Sequence, residues 1–127
     1  MIILDASVLI AHLDDRDVQH ERARSALDAH AMDPFGASVV TLAQTLVSPA
    51  RSHRTTQATG ALSLVGVVAI PVDETAPTRL AELRAETDLR LPDCCVLLAA
   101  QDSGASTVLT FDERLSSEAQ RLGFATP

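Results

Sequence analysis

The hydrophobic positions of this chain change period several times, and each change marks an element. Met1 to Leu4 is apolar without alternation. Such a run fits a strand buried on both faces, as inside a parallel sheet. It stops at Asp5. Val8 to Leu13 then reads as a helix, with Ser7 available as its cap and the cluster Asp14-Asp15-Arg16-Asp17 at its end. Val18 to Met32 reads as a second helix, with Ala23, Leu27 and Ala31 at a spacing of four. Asp33-Pro34-Phe35-Gly36 is a turn signal, and Ala37 to Val40 a short strand. Thr41 is placed to cap a helix carrying the pairs Leu42/Leu46 and Ala43/Val47, loosened at Pro49 or across Arg51 to Arg54. Thr55 or Thr56 opens another, in which Ala58, Ala61, Leu62 and Val65 share one face. Gly66 is placed to end it.

Val67 to Val72 is the next strand. A helix from Ala76 to Asp88 follows, burying Leu80 and Leu83 and showing Arg79, Glu82, Arg84 and Glu86 to water. Leu91-Pro92-Asp93 opens a nearly unbroken apolar helix, Cys94 to Gln101, which must be central. Ala105 to Leu109 is a strand, followed at once by Thr110-Phe111-Asp112. Asp112 is positioned to cap a last helix, Glu113 to Leu122, and Phe124 to Pro127 adds a short edge strand. Strands and helices alternate, with no repeats or linkers. The pattern predicts a single α/β domain over residues 1–127, a parallel sheet with helices on both faces.

Composition narrows the chemistry. Only three Phe and no Trp or Tyr occur, which argues against an aromatic platform for stacking bases. The net charge of −7 argues against binding nucleic acid through a broadly basic surface. It leaves room for an acidic pocket that works through cations. All ten basic residues are Arg. The two cysteines, Cys94 and Cys95, are neighbours inside an apolar run and read as small core residues of a reducing compartment. No signal peptide and no run of membrane-spanning length is visible. The expectation is a cytoplasmic protein.

Three carboxylates share one context. Asp5 follows the first strand, Asp112 follows the last, and Asp93 stands at the start of the apolar helix. Taken singly, an Asp at a helix start is commonly an N-cap worth about 1 kcal/mol. Asp5 is harder to explain so, because Ser7 is already an available cap. In an open parallel sheet, ligands bind beyond the carboxyl ends of the strands. Acids meeting there repel, and a proton or cation must compensate. Oxygen-only ligands suit Mg2+ or Mn2+, bound through a few carboxylates and water. Such an ion lowers the pKa of water far below about 15.7 and neutralises a phosphodiester. The cluster therefore predicts metal-assisted phosphodiester hydrolysis.

The Leu4-Asp5-Ala6-Ser7 start, Leu91-Pro92-Asp93 before an Ala-rich helix, and Thr110-Phe111-Asp112 near the end together resemble PIN-domain ribonucleases. Thr41-Leu42-Ala43 through Pro49-Ala50-Arg51, the chain length and His20 resemble the VapC toxins within that family. The resemblance covers essentially the whole chain. It implies a three-layer α/β/α fold with a mostly parallel sheet of four to five strands. It also implies a Mg2+- or Mn2+-dependent endoribonuclease, a homodimer neutralised by a cognate VapB-type antitoxin. Asp5, Asp93 and Asp112 would be the catalytic, metal-binding acids. Ser7 and Thr110 would hold a metal water.

One departure stands out. The family usually carries Glu where this chain has Gln44, and no acid occurs from Pro34 to Val72. Gln44 keeps shape and an amide oxygen but loses a charge. It orients a water or phosphate, or it marks a degenerate member that binds RNA or antitoxin without cleaving. Arg51, His53 and Arg54 form the only local basic patch, either a solvated helix end or an RNA contact. Arg90 balances the acids or touches phosphate. His12, His20, His30 and His53 show no metal-ligand pairing and read as surface or packing residues. A flavodoxin-like phospho-acceptor also clusters acids at strand ends, but here no acid precedes Asp5 and there is no Lys.

Overall fold

Four short runs of apolar residues make the sheet, and their order is not the chain order. The computed structural model describes residues 1–127. Strand β1 (Ile2–Leu4) passes into α1 (Ala6–Leu13). Then come α2 (His20–Ala29), β2 (Phe35–Ser38), α3 (Val39–Arg51), α4 (Thr55–Val65) and β3 (Val67–Ile70). α5 (Ala76–Thr87), α6 (Leu91–Ser103), β4 (Thr107–Leu109) and α7 (Glu113–Arg121) complete the chain. The four strands lie parallel in the order β3-β2-β1-β4. β1 is therefore interior, with Ile2 opposite Phe35 on one side and Leu4 opposite Leu109 on the other. Parallel pairing turns every strand's carboxyl end toward one rim.

Alternation along β1 divides the core. Ile2 and Leu4 pack with Val8, Leu9, Leu27 and Phe35. Ile3 packs on the other face with Leu97, Leu98, Val108 and Leu115. Val108 and Leu109 of β4 split the same way. This is the three-layer α/β/α arrangement expected from the pattern, with four strands, all parallel. α6 is buried from Cys94 through Ala100, as its unbroken apolar run requires, and the left-handed Gly104 (φ +65°) ends it. Gly36 in β2 keeps the sheet tight. A Cβ there would meet Met1 Sδ at 3.0 Å and the Cδ1 atoms of Ile3 and Ile70 at 3.2 Å. None of the helices is long and apolar enough to cross a membrane.

Several boundaries differ from the sequence reading. β2 covers Phe35–Ser38 rather than Ala37 to Val40, because Phe35 enters the core and Ser38 Oγ caps α3 by accepting from Val40 N at 3.2 Å. Thr41 is thus not the cap but a fully buried residue of the first turn. α2 ends at Ala29, leaving Ala31 and Met32 exposed. Pro49 sits inside the end of α3. Gly66 (φ +84°) ends α4 as expected. The expected last strand is a single parallel bridge, Thr107 with Ala125.

Candidate active site

The register of β1 and β4 brings Asp5 and Thr110 together, each one residue beyond the pair Leu4 and Leu109. The Asp5 amide donates to the Leu109 carbonyl at 3.0 Å. Thr110 Oγ1 donates to Asp5 Oδ2 at 2.7 Å, and Ser7 Oγ donates to the same oxygen at 2.8 Å. Both hydroxyls are themselves held. Phe111 N donates to Ser7 Oγ at 3.1 Å, and Asp112 N to Thr110 Oγ1 at 3.0 Å. Each hydroxyl thus accepts a hydrogen bond from a loop amide and donates one to the same carboxylate oxygen. Asp5 is only 5% exposed, and the two hydroxyl donors satisfy an oxygen that burial would otherwise leave unpaired. Ser7 is accordingly not a helix cap. Asp5 holds the N-cap position of α1, with no side-chain cap bond, and α1 begins earlier than its apolar run suggested.

Asp93 is the third residue of α6, whose N-cap position is Arg90, and it makes no cap bond. Burial pushes its carboxyl above the ordinary range, and the charges of Asp5 and Asp112 push it further. Arg90 and Arg114 oppose that shift. Acids following β1 and β4 therefore stand near enough to Asp93 of α6 to act on it at the carboxyl rim. Asp112 does serve as a cap: its Oδ1 accepts from Leu115 N at 2.9 Å. The capping explanation holds for Asp112 and fails for Asp93.

This donor set fits a hard divalent cation. It offers carboxylate and hydroxyl oxygens and carries excess negative charge that a cation relieves. Nowhere do three His, Cys, Asp or Glu side chains stand at mutual ligand spacing. The acids share a field without forming a closed cage, which suits an ion that keeps several of its waters.

The remaining expected site residues scatter. Gln44 is exposed on α3, on the wall of an open groove of about 560 Å³ that also includes Ile10, His20, Thr45 and Arg54. It forms no hydrogen bond with Ser7 or Thr110. Arg51 is exposed at the end of α3. Two arginines escaped the sequence reading. Arg114 lies in the first turn of α7, two residues from Asp112, a spacing that could have signalled it. Arg22 of α2 lies over the Phe111 ring, 4.2 Å from its centroid, a contact with no local signature. His12 and His20 do meet, with stacked rings and centroids 6.5 Å apart. His20 Nδ1 is 2.7 Å from the Ala11 carbonyl. This is a packing contact between α1 and α2.

Known proteins give the fold a context. The PIN domain model matches residues 2–119. Among solved structures, a toxin–antitoxin complex from Klebsiella pneumoniae is 24% identical at a TM-score of 0.76, covering 92% of this chain and 91% of that one. VapC20 of Mycobacterium tuberculosis, a sarcin-ricin loop cleaving toxin, is 18% identical at 0.77, covering 93% and 95%. VapBC2 from Rickettsia felis, bound to a DNA fragment from its promoter, is 16% identical at 0.71, covering 100% and 98%. No curated protein matches the chain. With the family model spanning nearly every residue, and a parallel α/β sheet beneath it, the chain belongs to the PIN domain family.

Proposed function

We propose that this chain is a Mg2+- or Mn2+-dependent endoribonuclease, a VapC-type toxin that cleaves cellular RNA and is neutralised by a cognate VapB-type antitoxin. The observation that carries the reading is the placement of three acids at one rim, Asp5 beyond β1, Asp112 beyond β4 and Asp93 at the start of α6, near enough for the first two to raise the Asp93 carboxyl. Family membership supports a nuclease. The likeness to VapC20 and to toxin–antitoxin complexes supports RNA as substrate and an antitoxin as partner. The resemblance to VapC toxins adds a cytoplasmic homodimer built on one domain.

On this reading Asp5, Asp93 and Asp112 hold the cation, directly or through water. When bound, the cation neutralises the phosphodiester and acidifies water. The protein's own contribution is orientation. Ser7 and Thr110 both hold Asp5 Oδ2, which fixes the direction of Oδ1. Arg90 and Arg114 keep Asp93 closer to its charged form. Gln44 adds no charge, and its exposed position favours one second reading, a PIN-like module that binds RNA or antitoxin without cleaving.

RNA cleavage by purified, antitoxin-free protein separates the two. With Mn2+ the wild type is expected to cut RNA, and Asp5→Asn to lose roughly 100-fold or more of that rate while keeping its circular dichroism. Chelator should abolish cleavage. A folded, metal-supplied protein that cuts no RNA would leave the binding module as the better reading.

A further inference from the structure

Ten basic residues serve a chain of net charge −7, and most have partners. Arg79 meets Asp102 at 2.6 Å, and Arg121 bridges Glu118 and Glu86. Arg24 pairs with Glu21 at 3.8 Å, and Arg84 donates to the Leu89 carbonyl at 2.6 Å. Arg22, exposed on the same helix as Arg24, has no acidic or carbonyl partner. Its guanidinium lies instead over the face of Phe111. A guanidinium seated on a ring is held in place while its in-plane N–H edge stays open, the geometry that suits bidentate phosphate binding.

Phe111 is no remote anchor. It stands between Thr110 and Asp112, and its amide donates to the Ser7 hydroxyl that holds Asp5. Arg22 forms no ion pair with any acid, so the ring is its only partner. The chain presents an oriented, unpaired cation on the residue that links Thr110 to Asp112. A polyanion approaching those acids is repelled by them, and an ordered arginine beside them offsets this.

We infer that Arg22, seated on Phe111, grips a backbone phosphate of single-stranded RNA and positions the strand at Asp5, Asp93 and Asp112. The inference takes its substrate from the ribonuclease reading above. Arg22 is a positioning residue, and Phe111 is its mount. Ordering the side chain before RNA arrives reduces the entropy lost on binding. A phosphate contact carries no sequence information, so its effect is uniform across RNAs.

The test uses Arg22→Gln, Arg22→Lys, Phe111→Leu and the Arg22→Gln/Phe111→Leu double variant. Cleavage with Mn2+ gives KM and kcat. Anisotropy of a labelled single-stranded RNA in chelator gives Kd over a salt series and needs no turnover. Arg22→Gln should raise KM and Kd about tenfold, with kcat changed less than about twofold. It should also reduce the slope of log Kd against log salt by about 0.7. Arg22→Lys should restore the slope and only part of the affinity, lacking the planar fork. Phe111→Leu should weaken binding less than Arg22→Gln, and the double variant should match Arg22→Gln, since both remove one contact. Wild-type Kd and slope in Arg22→Gln, or no RNA binding by the wild type, would overturn the inference. RNA binding with an Arg22-dependent slope but no cleavage would sustain it and overturn the ribonuclease reading instead.

Discussion

Asp93 is held where its charge is unwelcome. Burial and two neighbouring carboxylates favour its protonated form, so the metal-free fold carries repulsion at its candidate site. Asp93→Asn keeps the shape and removes the charge. In metal-free protein it should raise Tm by roughly 3 °C while abolishing cleavage, the trade-off expected where a site is built against stability. Calorimetry in chelator at neutral pH decides this, and a lowered Tm would mean the carboxylate is stabilising where it stands. The acids themselves were legible in the sequence, because each interrupts or follows an apolar run at a strand or helix end. Their supports were less so. Ser7 follows Asp5 closely enough to look like the helix cap, and only the loop from Phe111 gives its hydroxyl another role. The Arg22–Phe111 contact joins distant segments and has no periodic trace at all.

At the scale of elements, α1 and α2 meet through two histidines rather than through aliphatic packing alone. His12 Nδ1 is buried without a partner, and burial, His20 and Arg24 lower the His12 pKa below 6.5, with Asp28 acting in the opposite sense. The folded protein therefore binds fewer protons at this ring than the unfolded chain does just below pH 6.5. Stability from the neutral ring is fully present above that pH and is lost as pH falls through the folded value. Urea unfolding at pH 7.5 and 5.5 should show a larger drop in midpoint for wild type than for His12→Asn. Equal drops would remove His12 as the cause. Element order and type were readable from period changes, since buried parallel strands and amphipathic helices write different patterns. The shift of β2 was not. Phe35 and Gly36 carry turn-like neighbours, and only the burial of Phe35 beside Ile2 and Leu4 and parallel pairing with β1 and β3 make a strand of them.

The whole molecule is acidic, yet its candidate substrate is a polyanion, so cations must mediate between them. Saturating Mn2+ should stabilise the fold by linkage, about 2.7 kcal/mol at one hundred times its Kd, seen as a rising Tm in the wild type and a flat one in Asp5→Asn. Equal rises in both would place the ion elsewhere. The hydroxyl network has a further meaning in time. Asp5 is made well before the Thr110 hydroxyl that fixes it, which lies 105 residues later. β4, one of the two neighbours of β1, arrives together with it. At about 5–20 residues per second, the first acid waits on the order of ten seconds for its companions. Until Asp112 has been made, a nascent chain of this protein cannot assemble its acidic rim. Fragments cut short by interrupted synthesis lack Asp112 and the grip on Asp5 alike. A site built this way stays incomplete until synthesis has passed Asp112.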